Sequence, residues 1–548
     1  MKKLEQIQRN KLISNYGGVG SIIETNTNGS LRILPYDQWK CFNQIAHNQH
    51  VINEPRLLRY VQTHGYTNVA RLVPIPDNDD LADVSKQLRD SIESEYFPKW
   101  FYCPRCRKLD KYDNWKRAWE AKTFKIEKNR KDKEEGGKDK EKGRKDKSFS
   151  KNRPACPHCS QRIGDNRFRR QYLEQIRFVM ATPEDGRIED IPFDELYNTE
   201  YTYSAEDRCY VIRTNRDQRA GELEYPISKT SDDLESLSVK MTAKDGGTKR
   251  INLSKLHDSY IIKNNKAYKM ELKGSSGLYF PNIIRSIFIP MEKQEDQQFE
   301  TPADMDIHEF RYLTNDNNYN GGSIIRDDLV VKRRQPDLNR LPLITRISTI
   351  DKLKETSVLL SYSRMGRVDQ TNDWYSVQDN RVTQITPGSK IPFDKKCAEV
   401  TFMPAVEAFG EGLLFEVDIN DIEEINREKF VHTLCHIIMK EMEFQCGYTL
   451  SSLKEKIYID NDKAGFLIYT IAGSEGSYGG LISLASSENS RIQELIRRGA
   501  ERAKYCPNDP ICINEGEHHC FACVDIPETS CIKFNEGLDR KLFLDIWK

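Results

Sequence analysis

The cysteines and histidines near the C-terminus form the densest group of candidate ligands in the chain. The segment CPNDPICINEGEHHCFACVDIPETSC begins at Cys506 and ends at Cys531, and it holds five cysteines and two histidines. Such density indicates a metal site, a set of disulfides or redox chemistry. Zinc takes four ligands, and the C-x-x-C spacing of Cys520 and Cys523 makes them the surest pair. Cys512 with either Cys506 or Cys531 would complete the site, and the sequence leaves that choice open.

Two histidines in the same segment are alternative ligands. His518 and His519 are adjacent in the chain, and two adjacent side chains rarely bind one ion. A site rich in thiolate is usually closed, with no position left for water. The segment is therefore expected to hold a structural zinc that stabilises a small, loop-rich fold.

Two further C-x-x-C pairs lie upstream, in FYCPRC and PACPHC. They supply the ligands Cys103, Cys106, Cys156 and Cys159. Two such knuckles around one ion predict a tetrahedral zinc ribbon, in which backbone amides of each turn point at the sulfurs. A thioredoxin-like redox pair is the alternative, but it needs one pair only and a βαβ context that the sequence does not show. We expect two structural zinc ions in all.

A highly charged segment separates the two upstream pairs. From Lys125 to Lys147 it has 11 basic and 7 acidic residues and no aromatic residue. Such a composition cannot bury enough apolar surface to fold, so we expect a disordered insertion over about residues 122–153 of the ribbon. A nucleic-acid-binding arm is the alternative, although a net charge of +4 favours it only weakly.

The composition describes an ordinary, somewhat polar protein. The 548 residues include 37% hydrophobic and 31% charged residues, with a formal net charge of zero, so the total charge does not argue for nucleic-acid binding. The N-terminus has no apolar core of signal-peptide length, and no stretch approaches the roughly 18 apolar residues of a membrane span. We expect a cytoplasmic protein with no membrane partner, whose 14 cysteines stay reduced and serve metal.

Other residues with catalytic potential give weaker signals. In HTLCH, His432 and His436 lie one helical turn apart, but Thr433 stands where a zinc protease needs glutamate, so buried structural histidines are expected. Glu411 and His436 could instead form an acid–base pair in a hydrolase that acts on nucleic acid or peptide. The sequence contains no Walker A motif, so any ATP hydrolysis is expected in a partner.

Several blocks resemble a known family. CPNDPIC, CFACVDIPETSC and FNEGLDR resemble the MrfA-like zinc-binding domain, which occurs at the C-termini of certain superfamily 2 DNA helicases and in DrmB-like proteins of the DISARM anti-phage system. PAVEAFGEGLLF, FLIYTIAGSEGSYGGL and LYFPNIIRSIFIP follow the same family's order upstream, and NYGGVGSII looks like its N-terminus. Arg187 and Phe521 stand where the family often has histidine, so the chain looks like a divergent member.

The resemblance implies a function without catalytic residues. A DrmB-like chain would be a non-enzymatic, zinc-binding subunit that associates with a DrmA-like DNA helicase and joins it in engaging phage DNA. DNA would then be part of the complex, and a DNA methyltransferase could belong to the same system. The expected stoichiometry with the helicase is left open.

The periodicity predicts a mixed α/β (α+β), multidomain chain. We predict an N-terminal α/β region over residues 1–100, a zinc ribbon over 101–180, a middle α+β domain over 181–395 and an α/β domain with a four-cysteine zinc site over 396–548. Helical spacing from Val431 to Met442 predicts a helix that ends at Gly447. GLYFPNIIRSIFIP is typical of a strand, and DKLKETSVLLSYSRM is expected to open as a helix and continue as a strand.

Deleting Lys125 to Lys147 should leave the melting temperature almost unchanged, because a segment that buries no apolar surface adds little to stability. Differential scanning fluorimetry of the deletion variant checks this. The same variant distinguishes the alternative, because loss of a basic arm would weaken DNA binding at low salt. Unchanged DNA affinity at low salt would rule out the arm, and a large drop in melting temperature would contradict the disordered insertion.

Overall fold

A computed structural model describes most of the chain. The described residues are 12–15, 17–25, 29–39, 42, 50–75, 92–131, 153–162, 168–197, 199, 201–215, 217, 219–226, 237–290, 299–334, 341–461, 463–471, 479–485, 491–515 and 518–547. Side chains are described for all of these except residues 123–131, 162 and 168. Most of the charged segment between the upstream cysteine pairs, residues 132–152, therefore lies outside the described residues.

The helices of the described part vary from one turn to six. They are α1 (Pro55–Thr63), α2 (Tyr112–Lys131), α3 (Leu253–His257), α4 (Pro302–Thr314), α5 (Glu424–Cys446), α6 (Gly480–Leu484), α7 (Arg491–Ala503), α8 (Ile511–Asn514) and α9 (Arg540–Ile546). Within the described ranges, none of them has both the length and the apolar character required to cross a membrane.

The strands are mostly short, with two long exceptions. They are β1 (Ile22–Thr25), β2 (Gly29–Ile33), β3 (Leu72–Pro74), β4 (Ser94–Tyr96), β5 (Trp100–Tyr102), β6 (Lys108–Lys111), β7 (Gln161–Arg162), β8 (Phe168–Arg169), β9 (Glu174–Gln175), β10 (Phe178–Ala181), β11 (Ile188–Glu189), β12 (Tyr201–Ser204), β13 (Cys209–Arg213), β14 (Glu222–Glu224), β15 (Ser238–Thr242), β16 (Thr248–Asn252), β17 (Ser259–Lys263), β18 (Lys266–Leu272), β19 (Phe280–Ile287), β20 (Ser323–Arg326), β21 (Leu329–Arg334), β22 (Ile344–Ser363), β23 (Asn372–Ser376), β24 (Arg381–Ile385), β25 (Met403–Val417), β26 (Leu453–Asp460) and β27 (Lys463–Ile471).

The strands form several sheets, which confirms the predicted mixed α/β fold. Among the described residues, an eight-stranded sheet runs in the order β20-β21-β22-β25-β27-β26, with β19 on β22 and β3 on β25. Two six-stranded sheets have the orders β11-β10-β18-β17-β13-β12 and β16-β15-β14-β6-β5-β9. The eight-stranded sheet takes strands from both sides of the domain boundary predicted at residue 395, and the boundaries themselves stay a prediction.

The eight-stranded sheet is covered by helices on both faces. Along β25, Leu413 and Phe415 pack into one core with α5, whereas Leu414 between them packs into another core with α4. Successive side chains of a strand point to opposite faces, so a strand buried on both faces reads as a continuous apolar run. β25 approaches β27 closely at Gly410. A Cβ at this position would lie 1.8 Å from the Thr470 carbonyl oxygen, so only glycine fits there.

Helix α5 lies at the centre of the C-terminal core. Its side chains are buried almost all round from Phe430 to Met442, because the sheet covers one side and α7 and α9 pack against others. It ends at Gly447, which adopts a left-handed φ of 76°, as the sequence predicts. Gly499 of α7 allows a close approach, since a Cβ there would lie 3.0 Å from Ile437 of α5.

Two sequence-based expectations about secondary structure are corrected. DKLKETSVLLSYSRM does not open as a helix, because β22 runs unbroken from Ile344 to Ser363 and pairs with β19, β21 and β25. The insertion expected over residues 122–153 is not disordered from its start, because α2 continues to Lys131. Lys, Glu and Arg are strong helix formers, so this charged composition can extend a helix that begins on packed residues.

Helix α4 meets strand β26 through two ion pairs that differ in burial. Lys456 Nζ lies 2.9 Å from Glu309 Oε2 and 2.6 Å from Asp306 Oδ1, and both Lys456 and Glu309 are buried. At the edge of the same contact, Arg311 donates to Asp460 at 2.6 and 2.7 Å, with the Arg311 side chain 57% exposed. Buried and exposed pairs can therefore be compared on the same two elements.

Lys456→Met should destabilise the protein by about 3–5 kcal/mol, because it leaves buried carboxylates without a cation. Arg311→Met should cost only about 0–1 kcal/mol, because water screens the exposed pair. Equilibrium urea unfolding of the two variants beside wild type measures the difference. Equal losses in the two variants would contradict the assignment of Lys456 as the buried partner.

Candidate metal centres

The four upstream cysteines come together at the end of the β5–β6 hairpin. The ligand atoms of Cys103, Cys106, Cys156 and Cys159 all lie within 4.8 Å of one another, with 3.9 Å between the sulfurs of Cys106 and Cys156. Burial raises the pKa of the Cys103 thiol, but the backbone amides of the Cys103–Cys106 turn and the neighbouring thiols outweigh burial and lower it. The predicted ribbon ligand set is therefore assembled.

Two tryptophans of α2 support this upstream cluster. Trp115 and Trp119 are buried in one small core with Cys103 and Cys156, and Trp115 Nε1 donates to the Phe101 carbonyl at 2.9 Å. The aromatic rings pack α2 against both C-x-x-C turns, although a long segment separates Cys106 from Cys156 in the chain. The helix at the start of the insertion thus packs on the ribbon that the insertion interrupts.

The structure selects four of the five C-terminal cysteines. Cys506, Cys512, Cys520 and Cys523 form one cluster, in which Cys506–Cys520 sulfurs are 3.5 Å apart and Cys512–Cys523 sulfurs 3.7 Å. A tetrahedral Zn–S₄ site with bonds of about 2.3 Å has sulfur–sulfur edges of about 3.8 Å, so this cluster fits zinc. The choice that the sequence left open is thereby resolved in favour of Cys506.

Amide donors surround the sulfurs of this cluster. Asn508 donates its backbone N–H to Cys506 Sγ and its side-chain amide to Cys520 Sγ, both at 3.4 Å. The backbone N–H of Cys520 donates to Cys523 Sγ at 3.2 Å. Burial raises the pKa of Cys520, but Cys506, the Ala522 amide and Asn508 outweigh it and lower that pKa to about 7. These donors favour thiolates, which are the form that binds zinc.

Basic side chains attach the C-terminal four-cysteine segment, Cys506 to Cys523, to its neighbours, and this segment is called the four-cysteine knuckle below. Arg540 is fully buried, donates to the Ala503 carbonyl at 3.1 Å and pairs with Asp509 inside the knuckle. Lys440 of α5 donates to the carbonyls of Phe521 and Asp525 at 3.0 and 3.2 Å. The knuckle is thus attached to α5, α7 and α9 by side chains.

Cys531, the alternative to Cys506 that the sequence leaves open for the four-cysteine site, lies elsewhere. Its Sγ lies 3.3 Å from Nε2 of His432, and it belongs to a separate buried group with His432, His436 and Glu455. His518 and His519 do not belong to any described cluster, and His519 Nδ1 instead lies 2.7 Å from Asp525 Oδ1. The sequence alone does not identify Glu455. The pattern that could have found it is weak: a charged residue on the same face of β26 as the apolar residues Leu453 and Ile457.

The structure gives the two residues of the hydrolase alternative different partners. Glu411 accepts from the backbone N–H groups of Gly479 and Leu481 at 2.5 and 2.9 Å, which places its charge at the start of α6. His436 lies 3.1 Å from Glu455. Both Glu411 and His436 are fully buried, so neither faces solvent from which a substrate could arrive. These contacts support structural roles.

This chain is similar to a family model and to a DISARM protein. A family model described as a domain of unknown function (DUF8724) matches residues 8–274. The chain is 23% identical to the DISARM protein DrmB of Bacillus paralicheniformis over 507 residues, which covers 72% of this chain and 83% of that protein. This similarity confirms the DrmB-like resemblance of the sequence blocks.

A solved structure also matches part of the chain. The crystal structure of DUF1998 helicase MrfA bound to DNA matches with a TM-score of 0.22 and 11% identity. The match covers 41% of this chain and 26% of the helicase chain, so this chain spans about a quarter of that protein's length.

Cys520→Ser should remove one zinc equivalent and destabilise the C-terminal segment by several kcal/mol, on the order expected when a structural zinc is lost. Elemental analysis and thermal melting of the full chain measure both effects. Cys209→Ser is the matched control, because Cys209 is half-buried and outside every described cluster, and it should keep its zinc. Wild-type zinc content and melting in the Cys520 variant would refute a closed site.

Proposed function

We propose that this chain is a zinc-stabilised, non-catalytic subunit of a DISARM-like anti-phage system in the cytoplasm. In this role it docks on a DrmA-like superfamily 2 DNA helicase and helps that helicase to engage phage DNA. The observation that carries the proposal is the similarity to the DISARM protein DrmB, which extends over 72% of this chain. The resemblance of the C-terminal cysteine blocks to a domain found on such helicases supports the choice of partner.

A group of exposed apolar side chains around the four-cysteine cluster supports docking. We call Tyr505, Ile511, Phe521 and Phe444 the knuckle patch. They are between 65% and 80% exposed. Each of the first three is adjacent in the chain to a cysteine of the cluster. Phe444 is linked to them through Arg502, three residues before Tyr505, whose guanidinium carbon lies 5.7 Å from the centre of the Phe444 ring. Large apolar side chains grouped at a protein surface mark interaction sites.

The character of the patch suits a protein partner. Aromatic anchors with nearby cationic groups are the residues that dominate the energy of protein interfaces. Lys440 and Arg502 supply the cations at its edge. Lys440 donates to the Phe521 carbonyl, and Arg502 Nη1 forms an ion pair with Glu441 at 2.5 Å. The two clusters of four thiolates leave no position for a reacting water when metal fills them, so they would build the scaffold while the partner performs hydrolysis.

Co-purification with a co-expressed DrmA-like helicase tests the proposal. The full chain should elute with a tagged helicase across a range of salt concentrations, because apolar contacts are little screened. Elution of this chain by itself at every salt concentration would refute the proposed partnership.

Ile511→Ser combined with Phe521→Ser should weaken helicase binding about tenfold or more, because the change removes two exposed apolar anchors. Biolayer interferometry measures the dissociation constant. Ile325→Ser is the matched control, because Ile325 on β20 is 64% exposed and outside the patch, and it should bind like wild type. Zinc content and melting temperature should stay at wild-type values in both variants. Wild-type affinity in the double variant would place the docking surface elsewhere.

A further inference from the structure

A second type of ligand cluster is buried between α5, β26 and the C-terminal segment. It consists of His432 and His436 on α5, Glu455 on β26, and Cys531. Each of the four residues is at most 3% exposed, and their ligand atoms all lie within 4.8 Å of one another. We propose that this cluster is a third metal site, which binds a structural zinc ion through two imidazoles, one carboxylate and one thiolate.

The separations between the ligand atoms fit a tetrahedral ion. His432 Nε2 lies 3.1 Å from Glu455 Oε1, His436 Nε2 lies 3.1 Å from Glu455 Oε2, and Cys531 Sγ lies 3.3 Å from His432 Nε2. Zinc bonds of about 2.0–2.1 Å to nitrogen and oxygen and about 2.3 Å to sulfur give edges of about 3.3–3.6 Å. Each observed distance is within a few tenths of an ångström of such an edge, and the two histidines lie against different oxygens of Glu455.

Two buried atoms of the cluster have no hydrogen-bond partner among the described residues. They are Nε2 of His436 and Oε2 of Glu455, which lie 3.1 Å apart. Nδ1 of His436 lies 3.0 Å from the Val524 carbonyl oxygen, which only accepts, so Nδ1 carries the proton. In the neutral ring Nε2 then presents a lone pair to a carboxylate oxygen. Two acceptors in this arrangement repel unless a cation lies between them.

The hydrogen bonds outside the cluster resemble those that orient metal ligands. A histidine that binds metal through one nitrogen usually donates its other N–H to a carbonyl or carboxylate, as His436 does to Val524. The backbone N–H of Asn535 donates to Cys531 Sγ at 3.2 Å, as turn amides do to zinc-bound thiolates. The helix places His432 and His436 four residues apart, on one face.

The set of donor atoms and the charge balance favour zinc. Calcium and magnesium bind all-oxygen sites, whereas imidazole with thiolate suits zinc. A Zn²⁺ ion with one carboxylate, one thiolate and two neutral imidazoles is formally neutral, so it could be buried without an unpaired charge. The site would also be linked to the four-cysteine knuckle, because Val524 directly follows Cys523. A proton shared between His436 and Glu455, with no metal, is the competing explanation.

The zinc content of the wild-type chain tests the proposal directly. The full-length protein is incubated with excess zinc, freed of unbound metal by gel filtration and analysed by mass spectrometry with inductively coupled plasma. Three zinc ions per chain are expected from the two four-cysteine sites and this cluster. A count of two overturns the proposal and leaves the shared proton, and this result does not depend on any variant folding.

Variants locate the third ion. His436→Ala and Cys531→Ser should each contain one zinc fewer than wild type, whereas Cys446→Ser, a buried cysteine of α5 outside the cluster, should keep all three. In cobalt-substituted protein, Cys531→Ser should remove one thiolate-to-cobalt band and leave the bands of the four-thiolate sites. Wild-type zinc content and cobalt spectra in folded Cys531 and His436 variants would overturn the proposal.

Discussion

The described residues of 504–539 must be held in place largely by side chains, because they pair with no strand of the described sheets and their own backbone hydrogen bonds close local turns. Within the described residues 504–515 and 518–539, the regular structure is the short helix α8. The contacts that fix this segment converge on α5 and the turn after it: Val524 and Cys531 meet its histidines, and Ser530 donates to the Leu450 carbonyl at 2.6 Å. Metal binding would strengthen these connections without requiring a larger apolar core.

Strand β26 supplies charge to both faces of the sheet, and this fixes its register. Lys454 pairs with Glu355 at 2.7 Å and Lys456 pairs with Glu309, whereas Glu455 between them points to the histidines of α5. A slip by one residue would exchange the two faces and leave every one of these charges without its partner.

The parts of the site that depend on local spacing could be predicted from the sequence, and the parts that depend on distant contacts could not. The C-x-x-C pairs and the helix ending at Gly447 are local signals, and the structure contains both. The spacing of the C-terminal cysteines suggests that Cys531 belongs with its sequence neighbours, but its contact in the fold is His432, which is 99 residues away in the chain. Glu455 resembles part of a solvated charge run, and only the fold shows that it is buried. β22 is a strand because long partners on either side outweigh local helix preference.

The proposed docking and the expected metal binding would be physically connected in this chain. Three residues of the knuckle patch directly precede or follow cysteines of the four-cysteine cluster, so their positions depend on the turns that contain those cysteines. Phe521 lies inside the Cys520–Cys523 turn, and the carbonyl of Phe521 accepts from Lys440 of α5. Exposed apolar side chains on a loop would ordinarily lose conformational entropy on binding, which weakens the complex. Turns fixed by metal would have lost that entropy during folding. The four-cysteine cluster and the exposed apolar patch would therefore act as one unit, in which a bound metal would preorganise the proposed docking surface.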